Sequence, residues 1–87
     1  MKFKQIFEKK FKVDRDIFVP ANEFIVFIDS EEKFSLKRRG ESWGVKGMTD
    51  GKWDKKPNYE YKYFNGAEVL DRMIDDGWNV TDVNFIK

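Results

Sequence analysis

The stretch EFIVFIDSEEKFSLKRR, residues 23–39, decides the fold. From Glu23 to Asp29 it is a β-branched and aromatic run, apolar on both faces, which predicts a strand in the middle of a sheet with cover on both sides. Ser30, Glu31 and Glu32 then break the run. From Lys33 to Arg39 the chain alternates, with Phe34 and Leu36 on one face and Lys33, Ser35, Lys37 and Arg39 on the other, the period-two pattern of a strand. Two strands around a short polar break read as a hairpin, so the fold is built on an antiparallel sheet.

Towards the C-terminus, Asp50 and Gly51 form a pair that readily takes the positive φ angles of a type I′ turn, which predicts a second hairpin with arms Ser42–Thr49 and Lys52 onward. Pro57 ends the second arm. Asn58 to Phe64 then predicts a strand with Tyr59, Tyr61 and Tyr63 on one face and Glu60, Lys62 and Phe64 on the other. Asn65 followed by Glu68 is a capping-box pattern, and Ala67, Leu70, Met73 and Ile74 are spaced as the buried stripe of a helix over 66–76. Gly77 stands at the left-handed C′ position, with Trp78 placed to pack back on the last turn. Trp78 to Ile86 predicts a final strand whose apolar phase slips near Thr81 and Asp82, as at a bulge.

Towards the N-terminus, Phe3, Ile6, Phe7 and Phe11 fall at helical spacing, which predicts a helix over 2–12. Val13 to Val19 alternates and is stopped by Pro20, which suits a short edge strand or an extended connector. The elements add up to a single α+β domain over 1–87: an antiparallel sheet of four to six strands, the helix over 66–76 on one face, the N-terminal helix beside it or at its edge, and a final strand. An 87-residue chain is too short for two cores, and it has no repeat, linker or low-complexity tract.

The segment from YEYK at Tyr59–Lys62 through the helix to GWNVTDVNF at Gly77–Phe85 resembles a family of small bacterial domains of unknown function, DUF4177. The resemblance rests on Tyr61, Leu70, Gly77, Trp78, Val80 and Val83, covers about a third of the chain and implies a β-α-β ending, with no activity attached. In size, in Lys and Phe content and in lacking Cys and His, the chain also resembles small accessory proteins of phages and mobile elements in low-GC Gram-positive bacteria.

Composition excludes much chemistry. With no Cys and no His, there is no thiolate nucleophile, imidazole base, disulfide framework or common transition-metal site, and no cofactor is expected. Asp14 with Asp16 is read as surface charge, because no third carboxylate joins the pair at a metal-binding spacing. Asp75 with Asp76 falls in the last turn of a helix, where negative charge opposes the dipole, which leaves a partner contact open but is read first as solvated surface. The longest apolar run, Phe24 to Ile28, is far shorter than the roughly 20 residues of a membrane span, and residues 1–12 lack the pattern of a signal peptide. A basic amphipathic helix over 2–12 would suit an anionic membrane, but a helix packed across the sheet is preferred. The expectation is a cytoplasmic, non-enzymatic protein without membrane contact.

Charge balances overall at +1 but is segregated, at −1 over residues 1–32, +5 over 33–62 and −3 over 63–87. In the basic middle, cations interleave with Trp43, Trp53, Tyr59, Tyr61 and Tyr63, more rings than a core of this size needs. Arg, Trp and Tyr are the residue types that most often anchor interfaces. The candidate contact residues are therefore Arg38, Arg39, Trp43, Lys46, Trp53, Tyr59 and Tyr61, on a basic hairpin and a tyrosine strand. The expected function is to bind a protein partner, as a phage-like inhibitor or accessory factor. The alternative is a single-stranded DNA or RNA binder, with lysines on phosphates and rings stacked on bases. If neither holds, the acidic side around Glu68, Asp71, Asp75 and Asp76 is the next candidate surface.

Overall fold

Residues 11–86 are described by a computed structural model. Helix α1 (Arg15–Phe18) precedes strands β1 (Glu23–Ile28), β2 (Glu32–Arg39), β3 (Ser42–Lys46), β4 (Met48–Thr49), β5 (Lys52–Trp53) and β6 (Tyr59–Lys62). Helix α2 (Gly66–Asp75) and strand β7 (Val80–Phe85) follow. Five strands form an antiparallel sheet in the order β6-β3-β2-β1-β7, and β4 with β5 forms a separate two-stranded ribbon. The fold is α+β, as expected from the alternating strands and the capped helix.

The β1–β2 hairpin pairs Phe24 with Leu36 and Val26 with Phe34. Asp29 and Ser30 take left-handed φ angles of 54° and 61°, and the Glu31 N–H donates to the Ile28 carbonyl at 3.0 Å, closing a tight turn. One detail of the reading is corrected: β2, not β1, is the middle strand, because β3 and β6 add beyond β2 while only β7 adds beyond β1. The two-sided apolar character of β1 has a different origin. Phe24, Val26 and Ile28 are buried in the core, whereas Ile25 and Phe27 on the opposite face are half-buried, with Lys33 Nζ 5.7 Å from the Phe27 ring centroid.

Helix α2 covers one face of the sheet. The Asn65 side chain accepts from the Glu68 N–H at 2.9 Å and the Glu68 side chain accepts from the Asn65 N–H at 3.3 Å, so the capping box is complete. At the other end Gly77 has φ 105°, its N–H donates to the Ile74 carbonyl and the Trp78 N–H donates to the Met73 carbonyl, both at 3.1 Å, which is the Schellman pattern. Ala67, Val69, Leu70 and Met73 are buried in one cluster with Phe24, Val26, Leu36, Trp43 and Val45. Because β6 and β7 lie at opposite edges, α2 crosses the sheet between them. The bulge is present: Phe27 pairs with Asp82 but Ile28 with Val80, so Thr81 is the extra residue. Its hydroxyl donates to the Phe27 carbonyl and accepts from the Ser30 N–H, tying the bulge to the β1–β2 turn.

Two regions differ from expectation. Val13–Val19 is not extended, because Asp14 caps α1 by accepting from the Asp16 N–H at 3.1 Å. This turn buries Phe18, which meets Phe24 edge-on at 5.5 Å, and leaves Ile17 and Val19 exposed. The predicted helix over 2–12 lies outside the described residues except Phe11 and Lys12, which are not helical. The hairpin around Asp50 and Gly51 has the expected left-handed turn (φ 53° and 79°), but its arms are short. β3 ends at Lys46, and the Asn58 side chain accepts from the Gly47 N–H at 2.7 Å where the chain leaves the sheet. No helix among the described residues is long and apolar enough to cross a membrane.

Candidate functional site

Side chains alternate between the faces of a strand, so the register sorts the candidate residues. On β2, Phe34, Leu36 and Arg38 point to the α2 side. Opposite them lie Trp43 and Val45 of β3, and beyond these Tyr61 and Tyr59 of β6. Lys33, Ser35, Lys37 and Arg39 point to the other face, together with Ser42, Gly44 and Lys46 of β3 and Lys62 of β6. The sheet therefore stands between the tyrosines and most of the cations, and the seven candidates do not form one surface.

Trp43 is the clearest correction. It is 0% exposed, packs against Phe24 at 5.5 Å and belongs to the core rather than to a contact surface. It lies between Arg38 and Tyr61 under α2, and among the described residues its indole N–H has no acceptor. Tyr61 is half-buried, and its hydroxyl donates to Asp76 Oδ2 at 3.2 Å. Burial pushes its phenol above the ordinary value and Asp76 adds to the rise, opposed in part by the Trp78 indole and Arg72. Asp76 also holds Arg72 at 3.2 Å, so a carboxylate at the end of a helix is matched by a cation and a phenol. Tyr59 is 51% exposed, edge-on to Trp78 at 5.3 Å. Arg38 turns to the strand end, where its Nε donates to the Gly40 carbonyl at 3.0 Å.

The remaining candidates, Arg39, Lys46 and Trp53, converge on the face that α2 leaves open. They line a groove of about 200 Å³ with Lys37 and Glu23. Its floor is Ile25, Ser35 and Gly44, from three adjacent strands, and Trp53 and Pro57 on one side face Ile86 on the other. The floor is low because Ser35 is small and Gly44 has no side chain. Pro57 fills the space beside Gly44, with its Cγ 3.0 Å from where a Cβ would stand. Among the described residues, Lys37, Arg39 and Lys46 take part in no ion pair. The groove thus offers three available cations beside an indole and an aliphatic floor.

The candidate contact residues include three of these; strand alternation already puts Lys37 and Ser35 on the face of Arg39, whereas nothing in the sequence brings Gly44 and Glu23 to them. Parity alone would have separated Arg38 from Arg39, and Trp43 from Lys46, since neighbours and residues three apart on a strand face opposite ways. Ile25, Pro57 and Ile86 join the groove only through strand order and the path of residues 47–58. Among the described residues no group of three or more carboxylates is placed to hold a metal ion. Asp14 serves as the cap of α1. No family model, curated protein or solved structure matches the chain.

Proposed function

We propose that this protein is a non-enzymatic interaction module that binds an acidic protein surface through the open face of its sheet. The observation that carries the reading is the groove in which Lys37, Arg39 and Lys46 surround Trp53 and Ile25 on the face opposite α2. Cations steer an acidic partner towards the face, and a ring set over an aliphatic floor supplies the desolvated anchor that dominates interface energetics. An inhibitory or accessory role would consist in occupying that partner's surface.

A single-stranded nucleic acid fits the same face less well. Binders of that class stack successive bases on successive rings, whereas Tyr59 and Tyr61 lie on the α2 side, leaving Trp53 as the ring in the groove. Glu23, Glu60 and Asp82 also lie on the open face, where they oppose phosphates.

The test is affinity capture from a lysate of the source cells, with and without nuclease, using the native chain and a Lys37→Glu/Lys46→Glu variant with native circular dichroism. The expected outcome is a protein retained after nuclease treatment and lost with the variant. Trp53→Ala should weaken binding of the captured protein by ~2 kcal/mol if the indole is an anchor. Recovery of nucleic acid alone, or capture indifferent to the double variant, overturns the reading.

A further inference from the structure

A second constellation lies away from the groove, at the end of the sheet where β1 turns into β2 and α2 passes to β7. Trp78 meets two rings there at right angles. Trp78 is edge-to-face with Phe34, with centroids 4.9 Å apart and planes at 87°, and with Tyr59, at 5.3 Å and 89°. The rings wall an open hollow whose rim carries Asp29 and Glu32, along with Asp76, whose charge is already matched by Arg72. Phe34 and Tyr59 also wall an adjoining hollow rimmed by Glu31, Glu32 and Asp54, with Lys33 as the cation lining it. Core packing explains Trp78, which plugs the Schellman turn, and Phe34 beside it. It does not explain Tyr59, which stands half in solvent between the two hollows.

The chemistry of the corner selects one class of ligand. Ring faces carry negative quadrupole potential, and the carboxylate rim adds to it, so the corner repels anions. A hard divalent ion needs several converging oxygen ligands, and no such carboxylate group is found among the described residues. A large, weakly hydrated organic cation is what perpendicular aromatic walls beside carboxylates accommodate. We propose that the Phe34–Tyr59–Trp78 corner binds an alkylammonium group, carried either by a small quaternary amine or by a methylated lysine side chain of a partner. The site uses none of the cations of the groove, so it stands or falls independently of the function proposed above.

The experiment is an NMR titration of the full chain with choline chloride, following the Trp78 indole N–H signal, assigned by comparison with Trp78→Phe. Sodium chloride at the same ionic strength and 3,3-dimethylbutan-1-ol, the neutral isostere of choline, are the controls. Choline is expected to shift the signal saturably and to bind at least about tenfold tighter than the neutral isostere, because the discrimination rests on charge facing the rings. Tyr59→Leu, and Glu32→Gln as a variant that leaves the rings untouched, should each weaken choline binding. Peptides with trimethyllysine or unmodified lysine then separate the sources: tighter binding of the trimethyllysine peptide than of choline assigns the site to a protein side chain, and the reverse order to a free amine. A linear response to choline, an equal response to the isostere, or choline affinity unchanged in both variants overturns the proposal.

Discussion

Trp43 is the largest fully buried side chain among the described residues, and it is held there although its indole N–H has no acceptor. An unmade buried hydrogen bond costs about 1–3 kcal/mol, so apolar burial of the ring must outweigh it. Trp43→Ala should therefore lower stability by ~3–5 kcal/mol, measured by urea denaturation. Trp43→Phe should cost much less, because it removes the orphan donor and keeps an aromatic ring. A Trp43→Ala variant as stable as the native chain would return this residue to the surface. Tyr61 gives a pH-dependent counterpart. Its phenol is raised in the folded state by burial first, and by the Asp76 carboxylate. A raised folded value means that the folded state holds the proton more tightly, so the stabilisation is complete below the unfolded value near 10 and is lost as pH rises through the folded value. The native chain should lose more stability than Tyr61→Phe between pH 9 and 11 in thermal melts, and parallel curves would contradict the assignment.

At the scale of elements, α2 is defined at both ends by local interactions and in its placement by a distant one. The capping box and the Schellman turn lie within residues 65–78, and Gly77 holds φ 105° there. Gly77→Val should cost at least ~1 kcal/mol, and an unchanged melting temperature would refute the cap. Gly66 is different, because its φ is not left-handed and alanine at such a position ordinarily stabilises by about 0.4–1 kcal/mol. Here a Cβ would collide with the carbonyl oxygen of Phe18, which α1 brings against the first turn of α2. Gly66→Ala should therefore lower the melting temperature, and a rise would mean that α1 does not sit there. The pair separates a local requirement for glycine from a tertiary one. Only the first was legible in the sequence, since nothing in GAEVLDRM announces that residue 18 lies above residue 66.

For the whole molecule, the sheet acts as a partition. One side carries α2 and the aromatic corner with its carboxylates, and the other carries Lys37, Arg39 and Lys46 beside Trp53. At a net charge of only +1, this segregation predicts retention on a cation exchanger at pH 8. Lys37→Gln/Lys46→Gln should elute earlier than a variant with the same charge loss at Lys12 and one further lysine of the β4–β5 ribbon, and equal elution would mean that the open face has no concentrated field. The α+β class, the left-handed turn at Asp50 and Gly51, the limits of α2 and the bulge at Thr81 were all determined by the sequence itself, because each is set by contacts a few residues apart or by the period of a single strand. The middle position of β2, the helical turn at Arg15–Phe18, the burial of Trp43 and the two surfaces were decided only by tertiary structure. Periodicity says that residues share a face; it does not say which face a helix will cover. That choice follows from which strands pair, and pairing is settled by the summed burial of residues far apart in the chain.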